Sequence, residues 1–142
     1  MSGEKPDLDA GALGTGCLAG CGTGCVSLAI LLGAAVAAGV DFARATPGTL
    51  PGWLRFIGFL LGLGSYVIVG YFTARAAPDA PQFHALLIGI IFMLIGVLGF
   101  VLPAYQSSGQ NGPDFWLLIS WLLTIPMTLW GARIWENADT TY

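Results

Sequence analysis

Charged residues are scarce in this sequence of 142 residues. They make up 9% of the chain, whereas hydrophobic residues make up 56% and the mean hydropathy is +0.77. A soluble domain carries roughly 25% charged residues, so this chain has too few to cover a surface that faces water. The composition excludes an ordinary soluble protein and predicts one domain, residues 1–142, whose surface mostly faces hydrocarbon.

Basic residues and catalytic groups are also scarce. The five Lys and Arg residues are scattered along a chain of net charge −3, so they form no patch for nucleic acid. The single histidine is far in sequence from the three cysteines, and no nucleophile has an obvious base. The sequence therefore predicts no nucleic-acid partner, no enzyme activity, no catalytic residues and no cofactor.

Long uncharged segments are what the sequence has instead. Asp, Glu, Lys and Arg are missing from residues 10–40, 56–74, 80–113 and 115–132. A membrane helix needs about 20 apolar residues, and in lipid its backbone groups must be satisfied within the segment. We therefore predict polar tails at residues 1–12 and 136–142 and four transmembrane helices near 18–43, 54–73, 85–102 and 115–134.

The connections between these segments are short and contain turn formers. Pro51 and Gly52 precede the second span, Pro78 and Pro81 separate the second from the third, and Asp114 can cap the fourth. Short connections force neighbouring helices to run antiparallel. The predicted fold class is all-α, with four transmembrane helices in an up-down-up-down bundle.

The few basic residues give the expected orientation. Lys5, Arg75 and Arg133 lie on one side of the predicted bundle and Arg44 and Arg55 on the other. The connection at residues 105–114 has no Lys or Arg, which favours the outside. Both termini are then expected in the cytoplasm.

The three cysteines lie in a glycine-rich stretch at the start of the first span. Residues four apart share one helix face, with a rotation of about 40° at each step. The stretch therefore forms two adjacent stripes, Cys17, Cys21, Cys25 and Gly16, Gly20, Gly24. Repeated small residues let a partner helix approach closely in lipid. We expect a helix-packing surface, within the bundle or between protomers, together with Gly58 and Gly62 in the second span.

Three other interpretations of the cysteines are open. Three thiolates on one face could bind a soft metal, but one chain cannot complete the usual four-ligand set, and we predict no metal. A redox-active pair of thiols is the second interpretation, but the CxxC spacing of dithiol enzymes is missing. Leu18-Ala19-Gly20-Cys21 resembles the bacterial lipobox, in which the cysteine is acylated, but the segment before it is acidic and lacks an apolar signal core.

The hairpin between the second and third spans carries most of the remaining polar groups. Arg75 can reach the lipid headgroups where the second helix ends. His84 lies near a helix N-terminus, where a positive charge is disfavoured, so we expect a neutral imidazole. We interpret Arg75, Asp79 and His84 as an interfacial hairpin, which could also bind an anionic headgroup or a partner loop.

This hairpin, Gly70-x-x-x-Ala74-Arg75-x-Ala77-Pro78-x5-His84-Ala85, resembles the central hairpin of small uncharacterised bacterial four-helix integral membrane proteins. In that group a second glycine is common where this chain has Tyr71, and the cysteine stripe is not part of the pattern. The resemblance implies the topology and a multi-pass protein of the bacterial inner (plasma) membrane, and it implies no activity.

Two functions follow as expectations. The favoured one is a structural or accessory subunit in the lipid bilayer, assembled as a homo-oligomer or within a larger membrane complex. Ion transport needs an ionisable group inside a span, and Asp41 and His84 lie at span ends. The alternative is an oligomeric transporter or channel for a neutral solute, lined by glycines, Ser65, Ser120 and Thr124.

Overall fold

The computed structural model describes residues 7–41, 50–98 and 115–139, and only the backbone of 115–117. Within these ranges the chain is helical and has no strand. The helices are α1 (Ala10–Ala37), α2 (Gly52–Ala76), α3 (Pro81–Gly96) and α4 (Phe115–Asp139). The predicted all-α fold with four helices is confirmed. The end of the third predicted span at Leu102 and the predicted cap at Asp114 lie outside the described residues.

Local signals explain where the helices begin and end. α1 begins at Ala10, inside the segment predicted as a polar tail, because Asp9 caps it. The Asp9 carboxylate accepts hydrogen bonds from the backbone N–H groups of Gly11 at 2.7 Å and Ala12 at 3.2 Å, which satisfies two free helix donors. After α1, Gly39 turns the chain with a φ of 71°, a conformation that glycine adopts without strain.

Two hydrogen bonds fix the relative direction of α3 and α4. The Gln82 amide donates to the Glu136 carboxylate at 2.7 Å, near the start of α3 and the end of α4. The Trp121 indole N–H donates to the Met93 carbonyl at 2.9 Å, near the end of α3 and the first turns of α4. Since sequence numbers rise along one helix as they fall along the other, these two helices run in opposite directions.

The closest helix approach in the described chain joins α2 to α4. A Cβ atom at Gly70 would overlap the Thr128 carbonyl oxygen, and one at Gly131 would overlap the Val67 carbonyl oxygen. Both glycines are buried. Backbone therefore lies directly on backbone, and α2 packs more extensively against α4 than against α1 or α3.

Small side chains fill the core around this crossing. Ala74, Ala85 and Ala132 are fully buried together, with Leu129 and Trp135 packed against them. Small residues at an interface allow the close helix spacing that α2 and α4 show.

Buried hydroxyl groups in the same region are satisfied locally. Thr73 donates to the Val69 carbonyl at 2.8 Å, and Thr128 donates to the Thr124 carbonyl at 3.1 Å. Each bond joins a side chain to the carbonyl one turn earlier in its own helix, which removes the cost of an unpaired buried donor. These threonines therefore act as small packing residues rather than as bridges between helices.

The glycine contacts predict unequal effects of adding one methyl group. Gly70→Ala and Gly131→Ala should each lower the free energy of unfolding by about 1–3 kcal/mol, because the backbones must separate. Gly64→Ala, on α2 with open space around it, should raise it by up to about 1 kcal/mol through helix propensity. Unfolding in mild detergent by added SDS, followed by circular dichroism, measures all three. Equal effects at the three positions would contradict the backbone contact.

Candidate functional site

Two polar contacts between helices lie at the end of the molecule where α3 begins. Gln82 attaches the end of α4 through Glu136, as described above. Two residues further on, the Nε2 atom of His84 accepts a hydrogen bond from the backbone N–H of Asp9 at 2.9 Å. The first turn of α3 therefore holds both the beginning of α1 and the end of α4.

The hydrogen bonds of His84 define its tautomer. The ring is buried, with 2% of its surface exposed, and Nδ1 lies 3.0 Å from the Ala80 carbonyl oxygen. Because the Asp9 N–H can only donate, Nε2 must carry a lone pair, and Nδ1 must carry the proton and donate to Ala80. The ring in this arrangement is neutral, and both of its nitrogen atoms are used.

Acidic residues surround this end of the chain. Asp7, Asp9 and Asp79 line, together with His84, a cleft of about 880 Å³ between the start of α1 and the turn that joins α2 to α3. Asp79 is exposed in that turn, and Arg75 is exposed in the last turn of α2 without lining the cleft. Of the predicted hairpin residues, Asp79 and His84 thus share a cleft, whereas Arg75 lies beside it. Among the described residues no cluster of His, Cys, Asp or Glu could hold a metal ion.

The glycine stripe of α1 is divided between two environments. A Cβ atom at Gly16 would overlap the Thr73 hydroxyl oxygen of α2, and one at Gly20 would overlap the Phe92 ring of α3. Gly24 has no atom within 4 Å of a Cβ built there. The first two glycines therefore fit α1 onto its neighbours, and the third lies over open space.

The cysteine stripe lies on the outside of α1. Cys17, Cys21 and Cys25 are free thiols, and all three are exposed. They therefore lie outside the core of the described part of the chain, and a packing surface between protomers stays a prediction for them.

Gly58 and Gly62 face two different helices. A Cβ atom at Gly58 would lie 3.4 Å from the Leu31 side chain of α1, and one at Gly62 would lie 3.7 Å from the Ser120 hydroxyl oxygen of α4. The Gly58 distance is tight and requires Leu31 to shift slightly, whereas the Gly62 distance is an ordinary van der Waals contact. The two positions are therefore parts of separate contacts and do not form one continuous seam.

A pair of serines joins α1 to α2 between two grooves. The Ser65 hydroxyl donates to the Leu61 carbonyl at 2.9 Å, so Ser27 must be the donor in its 3.2 Å contact with Ser65. Ser27 and Ser65 both line a groove of about 320 Å³ that reaches Phe92 and another of about 310 Å³ on the other side of the contact. The serine pair thus separates two shallow grooves.

Sequence reasoning missed three features that contribute to helix capping or helix packing, although each has a recognisable pattern in the sequence. Asp9 directly precedes the first uncharged run, which is the position of a helix cap. Thr124, Thr128 and Ala132 repeat small residues every fourth position, and all three are buried. Gly131 lies next to that stripe and meets the Val67 carbonyl of α2, and Gly70, predicted only as part of the hairpin, meets the Thr128 carbonyl of α4.

The chain matches no family model, no curated protein and no solved structure. Its function must therefore be argued from its residues and their geometry.

The divided glycine stripe predicts a contrast between two substitutions in α1. Gly16→Leu should push α1 away from Thr73 and lower the free energy of unfolding by about 1–3 kcal/mol or more. Gly24→Leu, with the same change of size and a site in open space, should change it by about 0.5 kcal/mol or less. Detergent unfolding of the two purified variants measures the difference, and similar losses would show that α1 packs through a different face.

Proposed function

We propose that this chain is a small integral membrane protein whose four helices cross the bilayer up-down-up-down, and that it acts as a structural or accessory subunit. Two helices, α1 and α2, are long and apolar enough to cross a membrane, and α3 is apolar but shorter. The opposite directions of α3 and α4 support the topology. The resemblance of the central hairpin and the distribution of Lys and Arg support a bacterial inner membrane with both termini in the cytoplasm.

The observation that carries the proposal is the apolar outer surface of α1. Six large apolar side chains of this helix are exposed, from 46% at Leu32 to 76% at Leu18. The other four are Val26, Leu28, Ile30 and Val36. Soluble monomers rarely expose a continuous apolar patch of more than a few hundred Å². Lipid or another apolar protein surface must therefore cover this helix.

The positions of aromatic rings support the same arrangement. Trp53 at the start of α2 and Trp130 towards the end of α4 are both about half exposed. Tryptophan is enriched at the membrane–water boundary, where the apolar ring and the polar N–H are both accommodated. The exposed Arg133 lies one turn beyond Trp130, at the depth expected of a headgroup contact.

An accessory role fits the way polar groups and small residues are used. Buried threonine hydroxyls are bonded within their own helices, and among the described residues that line the cleft at the start of α3 no carboxylate is paired with a base. On the outside of α1, the exposed cysteines and the open position of Gly22 leave space for a closely packed helix. That helix would belong to a second copy of the chain or to a larger membrane complex.

Mass spectrometry of the intact assembly, after gentle extraction from the native membrane, tests this role. We expect a stoichiometric second protein or a homo-oligomer, and an intact chain mass without an acyl group at Cys21. Gly22→Leu should weaken the assembly because it fills the space on the outer face of α1, whereas Leu94→Ala on α3 should leave it unchanged. A bare monomer in every mild detergent would contradict the accessory role, and release by alkaline washing would contradict membrane insertion.

The second candidate is a channel or transporter for a neutral solute, favoured by the groove that reaches Phe92. Ser27, Ser65 and Tyr66 bring three hydroxyl groups to its lining, together with glycines of α1 and α2. Of the residues predicted to line a pore, Ser65 lies in this groove. Thr124 is buried elsewhere, with its hydroxyl donating to the Ser120 carbonyl at 3.1 Å. A continuous polar path would therefore require a second copy.

Swelling of sealed vesicles distinguishes the two candidates. Purified protein in liposomes should leave the permeability to urea and glycerol at the level of empty liposomes, since a subunit that only packs opens no path. Ser65→Leu, which fills the groove, should then behave like the unchanged protein. A swelling rate that rises with protein content and falls in Ser65→Leu would favour the channel instead.

A further inference from the structure

We propose that His84 is a proton-sensitive latch, which holds the beginning of α1 on α3 when the imidazole is neutral and releases it when the imidazole is protonated. The proposal goes beyond the role in the membrane and does not depend on it. It rests on three features of the contact: the direction of the hydrogen bonds, the burial of the ring, and the acidic cleft beside it.

The direction of the hydrogen bonds makes the contact specific for the neutral ring. Nε2 accepts from the Asp9 N–H, and Nδ1 donates to the Ala80 carbonyl. A proton added to Nε2 would set two N–H donors against each other at a distance of 2.9 Å. The Asp9 backbone group cannot reverse its role, because an amide N–H has no acceptor capacity.

Burial prevents the protonated ring from staying where it is. With 2% of its surface exposed, His84 has almost no access to water. A buried charge that has lost a hydrogen bond is costly, so the protonated ring must leave its position or α1 must move away from it. Either movement breaks the attachment of α1 to the first turn of α3.

The cleft beside His84 offers carboxylates to the protonated ring. From the beginning of α1 these are Asp7 and Asp9, and from the turn between α2 and α3 there is Asp79. The Asp9 carboxylate is already bonded to the first N–H groups of α1, which leaves Asp7 and Asp79 as exposed partners. Among the described residues, the other charged groups at this end are Arg75, Arg133 and Asp139, all exposed, and Glu136, which accepts from Gln82.

The release is confined to the beginning of α1. Further along the helix, Gly16 fits against Thr73, and no titratable group takes part in that contact. Because the neutral ring is the bound form, the latch is closed at high pH and opens as the pH falls.

¹⁵N NMR measures the protonation of the His84 ring and its hydrogen bond to Asp9 without overlap, since His84 is the single histidine of the chain. Protein labelled with ¹⁵N in histidine and in the backbone should show a coupling through the hydrogen bond between the Asp9 amide nitrogen and Nε2 at about pH 8. The spectrum should also show the proton on Nδ1. Acidification should remove the coupling as the ring becomes charged. A coupling that persists after the ring is charged, or a ring that stays neutral until the fold itself is lost in acid, would overturn the proposal.

A distance between spin labels shows whether α1 moves. The labels are placed by Leu8→Cys and Phe72→Cys, both exposed positions without charge, after the three exposed native cysteines are replaced by serine. We expect the distance to widen with the same midpoint as the charging of the ring. His84→Gln should remove this pH dependence, and Gln82→Ala, which disturbs the same turn but keeps the histidine, should retain it.

Two distance results would overturn the latch. One is a constant distance while His84 becomes charged, and the other is the same widening in His84→Gln, which would assign the effect to the carboxylates. If His84→Gln fails to fold, the chain that keeps His84 still tests the latch. The midpoint of the distance change must then agree with the midpoint of the charging of the ring, and a disagreement would overturn the proposal.

Discussion

The close approach of α2 and α4 is the constraint on which the rest of the structure depends. Gly70 and Gly131 remove the side chains that would hold the two backbones apart, so each helix lies against the carbonyl groups of the other. This contact leaves room only for small neighbours, and alanine and threonine surround it. If the helices lie in lipid, as proposed, such close packing would supply much of the attraction between them, because burial of apolar surface drives helices together only weakly there.

The beginning of α1 and the end of α4 are both attached to the first turn of α3. Gln82 and His84 are two residues apart, and they bind the end of α4 and the beginning of α1. The two bonds differ in kind, because a glutamine amide keeps its N–H donors when the pH falls, whereas an imidazole loses on protonation the lone pair with which it accepts. In the attachment of α1, protonation of the ring therefore removes the acceptor, and α1 is also the helix with the most exposed large apolar side chains among the described residues.

These properties give α1 a distinct place in the proposed function. Its inner face fits α2 and α3 through Gly16 and Gly20, and its outer face presents apolar side chains and three thiols. A helix held on one side and open on the other is suited to link this chain to a second copy or to another membrane protein. A latch at its beginning would let pH influence that link without disturbing the crossing of α2 and α4.

The sequence by itself determined the four helices, the all-α class and the apolar surface, because these depend on local composition and on charges at segment ends. Only the tertiary structure decided that α2 pairs most closely with α4, that Gly16 and Gly20 of the glycine stripe face inward while the cysteine stripe faces outward, and that His84 meets Asp9. Periodicity shows which residues share a helix face. In helices that are apolar all round it does not show which face meets which neighbour, since no polar side marks the outside. The shapes of the helix surfaces decide which faces meet, because a missing Cβ atom lets two backbones touch.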